Sequence, residues 1–281
     1  MPPAFRFVQL EFGWALGPSD GRYLRRAGPD ADAELVVVLA TLGAPQRRLL
    51  RGRKATEVSE GEPEPVPTSR ATLIAPQPFE STAAARAWLE SVRGDEDALG
   101  EAVRSAVREL NAVLRAHRAA AQDPYARDVR HEGALIVRVG YGAGDQVADG
   151  RYAEAVELPR GGRRRREPRR ARLEPQERLA AVLGGRDALL AGEELLLRAR
   201  ADVDQDRPRE AALQARVALE ALIAELGAAG QDVGALGDHR KAVGAAANAA
   251  LAGDPPDDLQ DAVLAAVAAM ERELRIRHTG D

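Results

Sequence analysis

Cysteine is absent from the 281-residue chain, which excludes disulfides and any thiol nucleophile or thiolate ligand. Lysine is nearly absent, since Lys54 and Lys241 are the only two among 40 basic residues and arginine supplies the rest. A Walker-type phosphate loop needs Gly-Lys-Ser/Thr, and each lysine here follows an arginine and precedes an alanine. The four histidines (His117, His131, His239, His278) are scattered, with none in Glu-x-x-His or His-x-x-x-His spacing, so no transition-metal site and no cofactor is expected. Long apolar runs are missing too. The longest, Leu35 to Ala44, is about half of the ~20 residues that span a bilayer, and the opening MPPAFRFVQLEFGW lacks the basic head and apolar stretch of a secretory signal. These absences together predict a cytoplasmic protein with no membrane partner.

Aromatic residues are few and unevenly placed. All ten lie at or before Tyr152, leaving the final 129 residues with none. A break of that size predicts two cores of different construction. Apolar residues make up 45% of the chain and charged residues 30%, the balance of a folded globular protein, and the length suits two domains. The expected division is residues 1–158, a linker at 159–175, and residues 176–281.

The first domain is predicted to be α/β or α+β, with a sheet of antiparallel leaning. FRFVQLEF near the start alternates as a strand, GPSDG (17–21) is a turn, and RYLRR continues as a second strand. AELVVVLATL is β-branched enough to be a buried strand, and RATLIA (70–75) is another. Between them, residues 44–69 have no periodicity. Five bases from Arg47 to Lys54 are followed there by four glutamates among alternating prolines, the composition of a mobile loop. A helical stretch follows, capped by Ser81 or Thr82 and divided at Gly94 and Gly100; Val103, Val107, Leu110 and Leu114 form one apolar face. ALIVRVG (134–140) is a strand, and the segment after it makes a short helix or another strand pair.

Beyond Pro175 every periodicity is helical, which predicts an all-α bundle of four helices. One long or broken helix runs to about residue 203. A second starts at Pro208 and carries Leu219, Leu222, Ile223 and Leu226 on one face. A third lies near 232–251, and a last places Val263, Val267, Met270 and Leu274 in register. Such a bundle offers helix faces for homo-oligomerisation.

GYGAGD (140–145) follows a strand, but its Gly-x-Gly-x-Gly spacing departs from the dinucleotide fingerprint and ends on an acid that would repel phosphate. It reads as a glycine-rich turn. Glu193-Glu194 and Asp202-Asp204 read as a solvated helix face. Asp202, Asp204 and Asp206 alternate as calcium ligands do, yet lack the loop glycine and the closing acid. The last helix carries Arg272 and, six residues on, His278. That pair, in a helical bundle of about one hundred residues, resembles in outline the HEPN ribonuclease domains, where an arginine and a histidine four to six residues apart cut RNA at a dimer interface. The resemblance implies a catalytic role for Arg272 and His278, and rests on this one motif and a helix count.

The densest chemistry is RGGRRRREPRRAR (160–172). Arg160, Arg163, Arg164, Arg165, Arg166, Arg169, Arg170 and Arg172 stand there against one glutamate. The tract carries +7, so the remaining 268 residues must carry −11 for the whole to be −4. Such a tract suits an acidic protein surface or, without sequence preference, nucleic-acid phosphates. Its nearest aromatic is Tyr152, so base stacking is not supported. The expectation is a non-enzymatic adaptor or scaffold that uses these arginines on an acidic partner, with nucleic-acid binding as the alternative.

Overall fold

The computed structural model describes residues 2–43, 68–158 and 169–279, with the side chains of 169–174 and 278–279 left out. The chain divides into two compact units, Met1–Arg165 and Arg166–Asp281.

The first unit holds β1 (Ala4–Phe12), β2 (Gly21–Arg26), β3 (Ala33–Leu42), β4 (Thr68–Pro78), α1 (Thr82–Gly94), α2 (Glu96–Ala121), β5 (Ile136–Ala143), α3 (Gly144–Ala148) and β6 (Glu154–Glu157). The strands form one antiparallel sheet in the order β2-β3-β4-β1-β5-β6. Alternation along β1 sends Leu10 and Phe12 to the face covered by α1 and α2, where they meet Val37, Leu73, Val103, Leu110 and Val139. Phe7 goes to the other face, with Val38, Ile74 and Val147. Because β3 is buried on both faces, Val36-Val37-Val38 is a continuous apolar run rather than an alternating one.

Two caps set the helices. Ser81 Oγ accepts from the Ala84 N–H at 3.1 Å, and Asp95 accepts from the N–H groups of Asp97 and Ala98, both at 3.0 Å. Asp95 therefore separates α1 from α2. Gly100, expected as a second division, lies inside α2, which runs through it: one helical glycine costs only about 1 kcal/mol, and the caps and the buried apolar face outweigh it. Buried Asn111 ties α2 to the loop before β5, donating to Val129 O at 3.0 Å and accepting from Val129 N at 2.7 Å. GYGAGD also departs from its reading as a turn. Gly140 and Gly142 are strand residues of β5, and a Cβ at Gly140 would run into the Glu154 carbonyl of β6. The glycines let neighbouring backbone approach.

The second unit is helical: α4 (Arg169–Leu183), α5 (Ala191–Asp204), α6 (Pro208–Ala228), the short α7 (Gly234–Gly237), α8 (Arg240–Ala250) and α9 (Asp257–Thr279). Its core is built by α5, α6, α8 and α9, with Leu236 of α7. The first helical stretch, expected as one long or broken helix, is broken at Gly184-Gly185, where Gly185 has φ +67°. Alanines fill much of this core, including Ala211, Ala212, Ala215, Ala218, Ala246 and Ala266, so helix axes come close. At Gly192 a Cβ would sit 2.6 Å from Leu222 Cγ, which makes glycine a packing requirement of the α5–α6 contact. Pro208 opens α6 at a position where its missing N–H is no loss.

Candidate functional site

Arg160, Arg163, Arg164, Arg165 and Arg166 of the arginine tract lie outside the described residues, as does the 44–67 segment that carries the acidic run. Arg169, Arg170 and Arg172 fall in α4, which begins inside the stretch expected as linker. Arginine, alanine, leucine and glutamate are all good helix formers, and the run 169–183 is rich in them, with Pro175 its one breaker.

No described residue of α4 enters the buried core of the bundle; an ionic cluster attaches the helix instead. Arg178 Nη2 reaches both Glu193 oxygens at 2.7 and 2.6 Å, and its Nε reaches Asp187 Oδ2 at 3.3 Å. Arg277 of α9 closes the ring, binding Asp187 Oδ1 at 3.0 Å and Glu193 Oε1 at 3.2 Å. The Glu193 side chain is only 8% exposed. The Ala188 N–H, 2.7 Å away, holds the Asp187 carboxyl below its ordinary value against partial desolvation, with Arg178 and Arg277 adding to the effect. Burial works against the charge on Arg178, and the Glu193 and Asp187 carboxylates outweigh it, so its pKa is raised. Nearby, Arg200 grips Glu271 with two bonds of 2.7 and 2.8 Å, joining α5 to α9 and raising the arginine further. The solvated-face reading of these carboxylates is therefore corrected for Glu193 and also for Asp202, which is buried and bound by Arg207 Nη1 at 2.7 Å. Sequence spacing alone could not reveal this, because the partners lie up to 84 positions away. Glu194 does face solvent, paired with Arg198.

Of the HEPN-like pair, Arg272 is on an exposed side of α9, and the His278 side chain lies outside the described residues. Six residues apart, the two positions differ by about 120° around a helix of 3.6 residues per turn. Among the described residues, no group of three or more His, Cys, Asp or Glu could hold a metal ion. No described helix is long and apolar enough to cross a membrane. Gly17-Pro18-Ser19-Asp20-Gly21 has the Gly-x-Ser-x-Gly spacing of a nucleophile elbow, but that device needs a strand-to-helix turn. Here the segment joins two antiparallel strands, and Asp20 is engaged by the N–H and hydroxyl of Thr41 at 2.9 and 2.8 Å.

A cleft of about 620 Å³ opens in the first unit, between α2 and the helix-side face of the sheet, with α1 beside it. No sequence reading anticipated it. Val8, Leu35, Leu73, Trp88 and Val92 form its apolar bed, and Val8, Leu35 and Trp88 are only partly buried. Ala98, Ala102 and Ser105 of α2 form its wall. Farther along α2, Val107, Leu110 and Leu114 are large enough to close the helix onto the sheet; these small residues leave the gap. At one side Arg25 bonds Glu34 and Glu109, both at 3.2 Å. Glu101 is held by Arg108 at 2.8 Å and Arg104 at 3.0 Å, which lower its carboxyl pKa. Arg6 lines the cleft with no acidic partner among the described residues.

No protein-family model, no curated protein and no solved structure matches the chain.

Proposed function

We propose that the protein is a two-part adaptor that contacts an acidic protein surface through the arginines of residues 160–172. The observation that carries this reading is the local charge excess. Eight arginines face one glutamate within thirteen residues, whereas buried carboxylates elsewhere, such as Glu193 and Asp202, are held by arginines as structural ties. The ionic attachment of α4 supports it further. Arg169, Arg170 and Arg172 belong to a helix fastened at Arg178 to Asp187 and Glu193, so the end of the tract is carried by a folded body. An acidic protein partner is favoured over single-stranded nucleic acid because no aromatic stands near the tract for stacking bases.

Binding of a fluorescent acidic peptide and of a DNA duplex, each measured against salt, tests the proposal. The intact protein is expected to bind the peptide, with affinity falling as salt rises, and replacing the eight arginines by serine is expected to abolish that binding. Deleting Glu57 to Glu64 should tighten it, since those glutamates compete for the same arginines. No peptide binding even at ~20 mM salt, where the Debye length exceeds about 20 Å, overturns the reading. Duplex binding tighter than peptide binding, with a log-log salt slope up to about −7 if all eight arginines engage phosphates, replaces it with the nucleic-acid alternative.

A further inference from the structure

We infer that the cleft between α2 and the sheet is a binding site for a small carboxylate with an apolar body, anchored by Arg6. Its volume, about 620 Å³, lies in the range that encloses a small organic molecule. The bed supplies apolar contact, with Trp88 giving a broad face, since Val8, Leu35 and Trp88 stay reachable from solvent in the middle of a folded unit. Ion pairing within the cleft, rather than its net charge, selects the sign of the ligand. The cleft and the residues bonded to it bring four guanidiniums, those of Arg6, Arg25, Arg104 and Arg108, against the three carboxylates of Glu34, Glu101 and Glu109. Arg25 holds Glu34 and Glu109, and Arg104 and Arg108 together hold Glu101, which leaves Arg6 as the lining guanidinium with no carboxylate bonded to it among the described residues. A guanidinium beside an apolar bed is suited to a two-point grip on a carboxylate.

The sheet also sets the length. Arg6 is on β1 and Arg25 on β2, three strand spacings apart in the order β2-β3-β4-β1, or about 14 Å at ~4.8 Å per spacing. A medium-length chain or a two-ring body spans that distance. The site lies wholly in the first unit and is independent of the arginine tract.

Dodecanoate, dodecylammonium and dodecanol serve as probes on the full chain carrying Trp14→Phe, in which Trp88 is the sole tryptophan. Dodecanoate is expected to give a saturable shift of Trp88 emission at concentrations where dodecylammonium gives none. Arg6→Gln should weaken dodecanoate by about tenfold or more while changing dodecanol by less than about threefold. Ala102→Phe, which fills the wall, should remove the response to both with far-ultraviolet dichroism unchanged. The absence of a saturable response, equal binding of the ammonium, or indifference to Arg6→Gln overturns the assignment. Arg6 is exposed, so its substitution tests the site even if the Ala102 variant does not fold.

Discussion

Glu193 concentrates more interaction than any position flagged in the bundle from sequence. Its carboxylate is almost fully buried and accepts from Arg178 and Arg277, joining α4 and α9 at the start of α5. Removing one partner of a buried ion pair leaves the others desolvated without compensation, so Glu193→Gln is expected to destabilise the helical unit by about 3 kcal/mol. Urea unfolding followed by far-ultraviolet dichroism should show the loss. Tryptophan emission should not, because Trp14 and Trp88 are both in the first unit. Asp187, beside it, makes the same unit acid-sensitive. Its folded pKa is depressed, so its contribution is fully present above the unfolded aspartate value of about 4 and is lost as pH falls through the folded value. Stability of the helical unit should therefore fall below about pH 4, and Asp187→Asn should flatten that part of the profile.

Two glycines show how element packing overrides local propensity. Gly192 and Gly244 both sit in helices, where alanine is intrinsically better by about 1 kcal/mol. A Cβ at Gly244 meets nothing within 4 Å, so Gly244→Ala should stabilise by about 0.5–1 kcal/mol. At Gly192 the same change drives a methyl to 2.6 Å from Leu222 Cγ and 2.9 Å from Leu222 N, and should cost about 1–3 kcal/mol. Melting temperatures of the two variants should move in opposite directions. Most element positions were legible because their signals are local: the Ser81 cap, Pro208, and the 103–114 and 263–274 apolar faces all act within a few turns. The Gly100 division was not, since a single glycine is weaker than the caps and burial around it.

At the scale of the molecule, the two units differ in what fills them. The first packs Phe7, Phe12, Trp88 and Tyr141, and the second packs alanine, leucine, valine and one methionine. Separate cores predict separate unfolding. Under urea, tryptophan emission should trace one transition for the first unit, while far-ultraviolet dichroism follows both and departs from it. Coincident transitions by both probes would mean the two cores unfold as one cooperative body.

What the sequence by itself determined is the division between a sheet-bearing part and a helical part, the antiparallel strands, the helix faces and the charge of the arginine tract. Each depends on periodicity, capping or composition, which a one-dimensional string records. The tertiary structure alone decided that β5 runs on through Gly142 of GYGAGD, that Glu193 and Asp202 are buried ties, and that α2 stands off the sheet at Ala98, Ala102 and Ser105. These depend on which distant residues meet. Arg277 reaches Glu193 across 84 positions, and the cleft draws on all of β1 to β5 and both long helices. Chain spacing carries no record of such encounters until the backbone has closed them.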